Sequence, residues 1–183
     1  MSLGAAVKAI ATMTFIGIKQ GLVTGCAADY TGQLWFDDLN VGEEVYRAVP
    51  SHAELITFNR ASKLLPARKK SSHKGDFGHL LVIGGDAGFG GAALLASEAA
   101  LFAGAGMVSC ATRESHVTAG LARQPDIMYR HIEQRSTLQE MMTKADVLVV
   151  GPGLGTAPWG QMCLHTALES GLPMVIDADG LNL

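Results

Sequence analysis

The sequence predicts an α/β protein built on a parallel sheet with helices packed on its faces. Three observations carry this. From His79 onward, short apolar runs alternate with helix-length segments. Leu80-Leu81-Val82-Ile83 and Val147-Leu148-Val149-Val150 are continuously apolar, the pattern of strands buried on both faces. Glycine, 22 of 183 residues, gathers in runs that follow such strands, where tight turns and close backbone approach need it. With 48% hydrophobic and 17% charged residues, a disordered chain is excluded.

In chain order, residues 12–19 and Gln33-Leu34-Trp35-Phe36-Asp37 read as strands, joined by a loop containing glycine and aspartate. Ser51 with Glu54 three residues on has the form of a capping box, predicting a helix from there to Leu65 that ends at Pro66. Arg68 to His73 form a polar linker. The regular alternation follows: strand 80–83, helix Gly91 to Ala105, strand Met107 to Ala111, a helix near Ser115 to Arg123, strand 147–150, helix Trp159 to Ser170, and strand Met174 to Asp177. This is the doubly wound α/β pattern.

Several function classes are excluded at this level. Fourteen basic against seventeen acidic residues leave a net charge of −3, with no basic face for nucleic acid. Cys26, Cys110 and Cys163 are odd in number and lack any CxxC spacing, so neither a disulfide framework nor a zinc site is expected. Val23-Thr24-Gly25-Cys26 has the look of a lipoprotein cleavage box, but residues 12–19 before it mix β-branched and aromatic residues as a strand does. No apolar run reaches the roughly 18 residues of a spanning helix. A cytoplasmic protein that engages no membrane is the expectation.

Gly84-Gly85-Asp86-Ala87-Gly88-Phe89-Gly90-Gly91-Ala92 follows one strand and opens a helix, a place where free N–H groups and the helix dipole favour an anion. It is neither a clean GxGxxG nor a P-loop. Gly151-Pro152-Gly153-Leu154-Gly155 repeats the arrangement after a second strand. Loops at the carboxyl ends of parallel strands share one edge of the sheet, where open α/β folds bind ligands. Asp177, Asp179 and Asn182 end a third strand there; the carboxylates suit polarising a hydroxyl, holding Mg2+ through water, or capping the next helix. Lys74 is a candidate phosphate contact at the mouth. No GxSxG or other nucleophile motif is present.

These residues also carry a resemblance. SSHKGDFGHLLVIGGDAGFGGAALLASEAALFAGAGMV, VLVVGPGLGT and VIDADGLNL, in that order, resemble the ADP/ATP-dependent NAD(P)H-hydrate dehydratase family. Upstream, TMTFIGIKQGLVTGCAADYTGQLWFDDLNVG is similar to the end of the NAD(P)H-hydrate epimerase domain that precedes the dehydratase in bifunctional repair enzymes. The resemblance implies residues 1–50 as the end of a Rossmann-like epimerase domain, 51–72 as helix and linker, and 73–183 as the first part of a ribokinase-like dehydratase domain. It implies ADP- or ATP-dependent dehydration of hydrated NAD(P)H, with Mg2+, in a homo-oligomeric whole protein.

Carried over residue by residue, Ala92 and Gly153 match positions that contact the hydrated dinucleotide. Gly85, Gly91, Gly151, Lys74, Asp177, Asp179 and Asn182 are possible supporting residues. The HPGE, KGxxT and GxGD motifs of the family, the last holding its expected general base or acid, do not occur in the 183 residues. The expectation is an internal fragment without turnover of its own. The rival expectations are a non-catalytic nucleotide-binding remnant and a nicotinamide-dependent oxidoreductase, whose ribose-binding acid after the second strand could come only from Thr112-Arg113-Glu114.

Overall fold

A computed structural model describes residues 4–51, 53–65 and 67–183. The chain divides into two compact units, Met1–Ala67 and Arg68–Leu183, a break that falls inside the predicted 51–72 stretch.

The first unit is a parallel pair, β1 (Ala11–Phe15) beside β2 (Gln33–Asp37), in register from Ala11 opposite Gln33 to Phe15 opposite Asp37. The short helix α1 (Ala28–Thr31) precedes β2. Strand β1 is shorter than the predicted 12–19. Ile16 turns to φ +67°, and the Gly17 N–H donates to the Phe15 carbonyl, so the chain folds back before Lys19. Helix α2 (Glu43–Ala48) carries an Arg47–Glu43 pair one turn apart.

Helix α3 spans only Phe58–Lys63. The capping box at Ser51 and Glu54 does not form: residues 53–57 are not helical, and Glu54 pairs instead with Arg60. Thr57 caps the helix by accepting from the Arg60 N–H at 3.4 Å, because a threonine immediately before the first turn outcompetes a pair that starts six residues earlier. Pro66 lies outside the described residues.

The second unit alternates strictly. A 3-10 turn, Lys74–Phe77, leads into β3 (His79–Ile83), then α4 (Gly90–Ala103), β4 (Met107–Thr112), α5 (Glu114–Arg123), β5 (Met128–His131), α6 (Arg135–Met142), β6 (Val147–Val150), α7 (Pro158–Glu169) and β7 (Met174–Ile176). All five strands are parallel, in the order β5-β4-β3-β6-β7. The chain therefore steps outward from β3 to β5, returns to the far side of β3, and steps outward again to β7.

Period-two alternation sorts the strand side chains into two cores. Leu81, Ile83, Leu148 and Val150 pack with Leu138, Met141, Cys163 and Leu164 of α6 and α7. On the other face, Val82, Val108 and Cys110 pack with Ala93, Ala96 and Ala100 of α4. Helix α4 stops at Gly104, whose φ of +114° suits glycine. Arg68, expected in a solvated linker, donates to the Gly104 carbonyl at 2.7 Å and covers the Phe77 ring.

Strand β5 and helix α6 escaped the sequence reading. Met128-Tyr129-Arg130-His131 is an edge strand whose exposed and half-buried positions alternate, so it lacks the continuous apolar run that marks the central strands. Helix α6 is short and has no side-chain cap. Its one signal was Leu138, Met141 and Met142, the three buried residues at helical spacing.

Among the described residues no helix is long and apolar enough to cross a membrane.

Candidate functional site

Strand order reverses between β3 and β6, so the loops leaving their carboxyl ends depart in opposite directions and open a crevice. The two glycine loops interlock there. Gly85 N–H donates to the Pro152 carbonyl at 3.0 Å, Asp86 N–H to the Gly153 carbonyl at 2.7 Å, and Gly151 N–H to the Ile83 carbonyl at 3.2 Å.

Glycine is required for two distinct reasons at this edge. A Cβ on Gly84 would lie 2.1 Å from the Pro152 carbonyl oxygen, one on Gly151 1.8 Å from that of Asp177, and one on Gly153 2.4 Å from that of Phe89. Gly85 is similarly filled, 2.6 Å from Thr112 Oγ1. These four let protein backbone meet protein. Gly88, at φ +85°, and Gly91 have nothing within 4 Å of the Cβ position, so their missing side chains leave open space in front of α4.

Ala92, exposed on the first turn of α4, lies 3.2 Å from the Cβ position of Gly153. The structure thus brings these two sequence candidates together. The residue before α4, Phe89, makes no side-chain cap, which leaves the dipole end of a 14-residue helix facing this mouth.

The other candidates sort unequally. Asp179 is committed to the protein, its Oδ2 accepting from the Gly155 N–H at 2.9 Å. Asp177 keeps an exposed side chain, while its backbone packs on Gly151. Asn182 is exposed and donates its N–H to the Asp179 carbonyl. Lys74 is a correction: it precedes β3, and its carbonyl packs on Gly106, just before β4. It therefore stands at the amino edge of the sheet, a strand length of about 16 Å from the glycine loops.

One cluster was missed. Asp86 Oδ1 accepts from Arg113 Nε at 2.7 Å, the Arg113 guanidinium lies 4.5 Å from the Trp159 ring centre, and Trp159 Nε1 donates to the Ile132 carbonyl at 2.7 Å. His116 Nε2 meets the Asp86 carbonyl at 3.2 Å. Burial pulls the Asp86 pKa upward, but hydrogen bonds from Arg113 and the Ala87 N–H, with the charges of Arg113 and His116, outweigh it and hold the carboxyl below its usual range. The sequence signal was an aspartate set among glycines at a strand end; its partner, 27 residues away, needed the sheet order to be found.

Cys110, Cys163 and His79 are buried. Burial pushes the Cys110 thiol to about 11 and the Cys163 thiol to about 12, far from a nucleophile's range. Buried His79 bonds the Lys144 carbonyl and Ser109 Oγ, each at 2.7 Å. After β4, Thr112 is buried and donates to the Gly85 carbonyl, Arg113 pairs with Asp86, and Glu114 is an exposed acid that begins α5. Among the described residues no group of three or more His, Cys, Asp or Glu side chains forms a metal cage. Mg2+ carried on nucleotide phosphates needs only one or two carboxylates, and Asp177 is an exposed one at this edge, next to the second glycine loop.

An open parallel sheet with interlocked glycine loops at its strand reversal defines an α/β protein of the doubly wound class, whose members bind ligands at that edge. Comparison with known proteins narrows this. Residues 80–183 match the model of the Carb_kinase family, NAD(P)H-hydrate dehydratase. The chain is 45% identical over 180 residues to the bifunctional NAD(P)H-hydrate repair enzyme Nnr of Coxiella burnetii (strain RSA 493 / Nine Mile phase I), a match that covers 98% of this chain and 37% of that protein.

Among solved structures, a ribokinase-like superfamily protein of Enterococcus faecalis V583 aligns with a TM-score of 0.61 and 30% identity, over 63% of this chain and 42% of the other. The ADP/ATP-dependent NAD(P)H-hydrate dehydratase of Bacillus subtilis, co-crystallized with ATP/Mg2+, aligns with a TM-score of 0.58 and 26% identity, over 68% and 46%. The chain belongs to the NAD(P)H-hydrate dehydratase family, and its second unit has the ribokinase-like fold. It spans little more than a third of the length of its Coxiella relative.

Proposed function

We propose that this chain carries the dinucleotide-contacting loops of an enzyme that repairs nicotinamide nucleotides, dehydrating the S form of NAD(P)H hydrate to NAD(P)H at the expense of ADP or ATP. Residues 1–50 belong, in this reading, to the end of a fused epimerase domain that interconverts the R and S hydrates. The whole protein is cytoplasmic and homo-oligomeric. The observation that carries the reading is the mouth formed by Ala92 and Gly153, with open space at Gly88 and Gly91 and the start of α4 facing it.

In the chemical step, the terminal phosphoryl group of ATP or ADP passes to the C6 hydroxyl oxygen of the hydrate, its bond to the nucleotide breaking to release ADP or AMP, and the hydroxyl proton leaves. The C6–O bond then breaks, releasing phosphate, and loss of the neighbouring C5 proton restores the ring double bond. The residues on this chain bind and orient. The small side chain of Ala92 and the open space at Gly88 and Gly91 let a flat ring approach the start of α4, whose N–H groups and dipole favour developing negative charge, a contribution of about 0.3–1 kcal/mol per charge. The KGxxT and GxGD motifs that the resemblance links to nucleotide binding and proton transfer are not in these residues. Their expected contribution is therefore binding without turnover.

Isothermal titration with S-NADPH hydrate tests this. Saturable binding, abolished by Gly153→Val, is expected, together with no recovery of NADPH absorbance on adding ATP or ADP. Undetectable binding by the unmutated chain would refute the dinucleotide reading. Steady turnover would refute the assignment of the catalytic groups elsewhere.

A further inference from the structure

We infer that Asp86 and Arg113 form a positioning pair that sets the separation of the two glycine loops, and with it the placement of Gly153 against Ala92 at the mouth in front of α4. The inference rests on the dinucleotide reading of that mouth for its functional consequence, and on geometry alone for the pairing.

Asp86 grips the second loop by backbone while its own carboxylate is held by a side chain from the end of β4. Its N–H donates to the Gly153 carbonyl at 2.7 Å, its carbonyl accepts from the Phe89 N–H at 2.8 Å, and its Oδ1 accepts from Arg113 at 2.7 Å. Oδ2 stands 3.1 Å from the Cβ position of Gly155. On the other side of Gly155, Asp179 Oδ2 accepts the Gly155 N–H. The GPGLG loop is therefore held between a carboxylate from β3 and another from β7. Arg113 in turn lies over Trp159, which is tied to Ile132 at the end of β5. One ion pair thus references the mouth to the ends of β3, β4 and β5 and to the start of α7.

A role in stability explains the pair poorly. The Asp86 side chain is 13% exposed and that of Arg113 31%, and an ion pair taken this far from water returns little net stability, because the Coulomb gain is offset by desolvation. The two cores beneath it are complete without either residue. What the pair does supply is a fixed direction: a guanidinium held by an aromatic face and a carboxylate allows one loop position where glycines at 84, 85, 153 and 155 would allow many.

The test uses the 183-residue chain with Asp86→Asn, Arg113→Met, Arg113→Lys and the double variant Asp86→Asn/Arg113→Met. Site-resolved amide hydrogen exchange compares Gly153 and Gly155 with core amides of Leu81 and Val108, and titration measures S-NADPH hydrate affinity. Each removal is expected to speed loop exchange and weaken hydrate binding by about tenfold, with core exchange unchanged. The double variant should be no worse than the poorer single one, and Arg113→Lys should recover part of the loss. Loop exchange equal to the unmutated chain's, or core exchange accelerated in step with it, would overturn the inference. If the unmutated chain binds no hydrate, the dinucleotide reading fails while the exchange comparison still decides the positioning role.

Discussion

The two units of this chain use the same kind of strand pairing and reach opposite degrees of burial. In the first, β1 and β2 run parallel, yet Thr14 is the one buried residue among those described, and Met13, Phe15, Trp35 and Phe36 are each 44–50% exposed. In the second, parallel strands of similar length leave Leu81, Val82, Ile83, Val108, Leu148 and Val150 fully buried. Parallel sheets need both faces covered. Among the described residues the second unit supplies helices on each side, and the first has only short helical segments beside its strand pair. Apolar composition therefore does not make a core unless the topology returns a second layer to the sheet.

That contrast can be broken from its stronger side first. Gly151→Val places a side chain 1.8 Å from the Asp177 carbonyl oxygen at a φ of +127°, and the expected loss is about 4 kcal/mol or more. Urea denaturation followed by circular dichroism should then show no cooperative transition for the second unit. Leu148→Ala, beneath the crevice and 0% exposed, should cost about 2–5 kcal/mol in the same measurement.

A smaller, pH-dependent effect lies at the rim. The carboxyl of Asp86 is held below its usual value of 3.8 in the folded state, so the unfolded chain binds more protons in that window and stability falls as pH falls. The contribution is complete above about pH 4 and disappears as the carboxyl protonates. Thermal midpoints of Asp86→Asn should accordingly lack the part of the acid slope that the unmutated chain shows below that pH.

The smallest effect belongs to the first unit. Trp35→Ser removes a half-exposed side chain from an uncovered sheet face and should shift the unfolding of the second unit by no more than about 0.5 kcal/mol. Limited proteolysis offers an independent reading of the same difference, with cuts expected within residues 4–67 before any within 79–176. Cuts appearing first in the second unit would dissolve the comparison.

Legibility in the sequence followed burial. Strands β3, β4, β6 and β7 could be read because each lies in an apolar run, and α4 and α7 because they follow glycine loops at helix length. Edge strand β5 carries Arg130 on its exposed face and His131 on its half-buried one, and the signal faded with the burial. The Ser51 and Glu54 spacing misled because local capping chemistry is common and a nearer cap, Thr57, served the helix. Ala92 and Gly153 are candidates only through family resemblance, since small residues at loop positions carry no chemistry of their own. Lys74 was misplaced because sequence order before a strand says nothing of which sheet edge a side chain serves.

The sequence by itself determined that the strands are parallel and that both glycine loops leave their carboxyl ends, since continuous apolar strands joined by helices permit little else. Only the tertiary structure decided that β3 and β6 are neighbours. Strand order is set by how helices pack across the sheet, not by any local pattern. That adjacency divides the glycines into those filled by the opposite loop and those left open, and it brings Asp86 to Arg113 across 27 residues of chain.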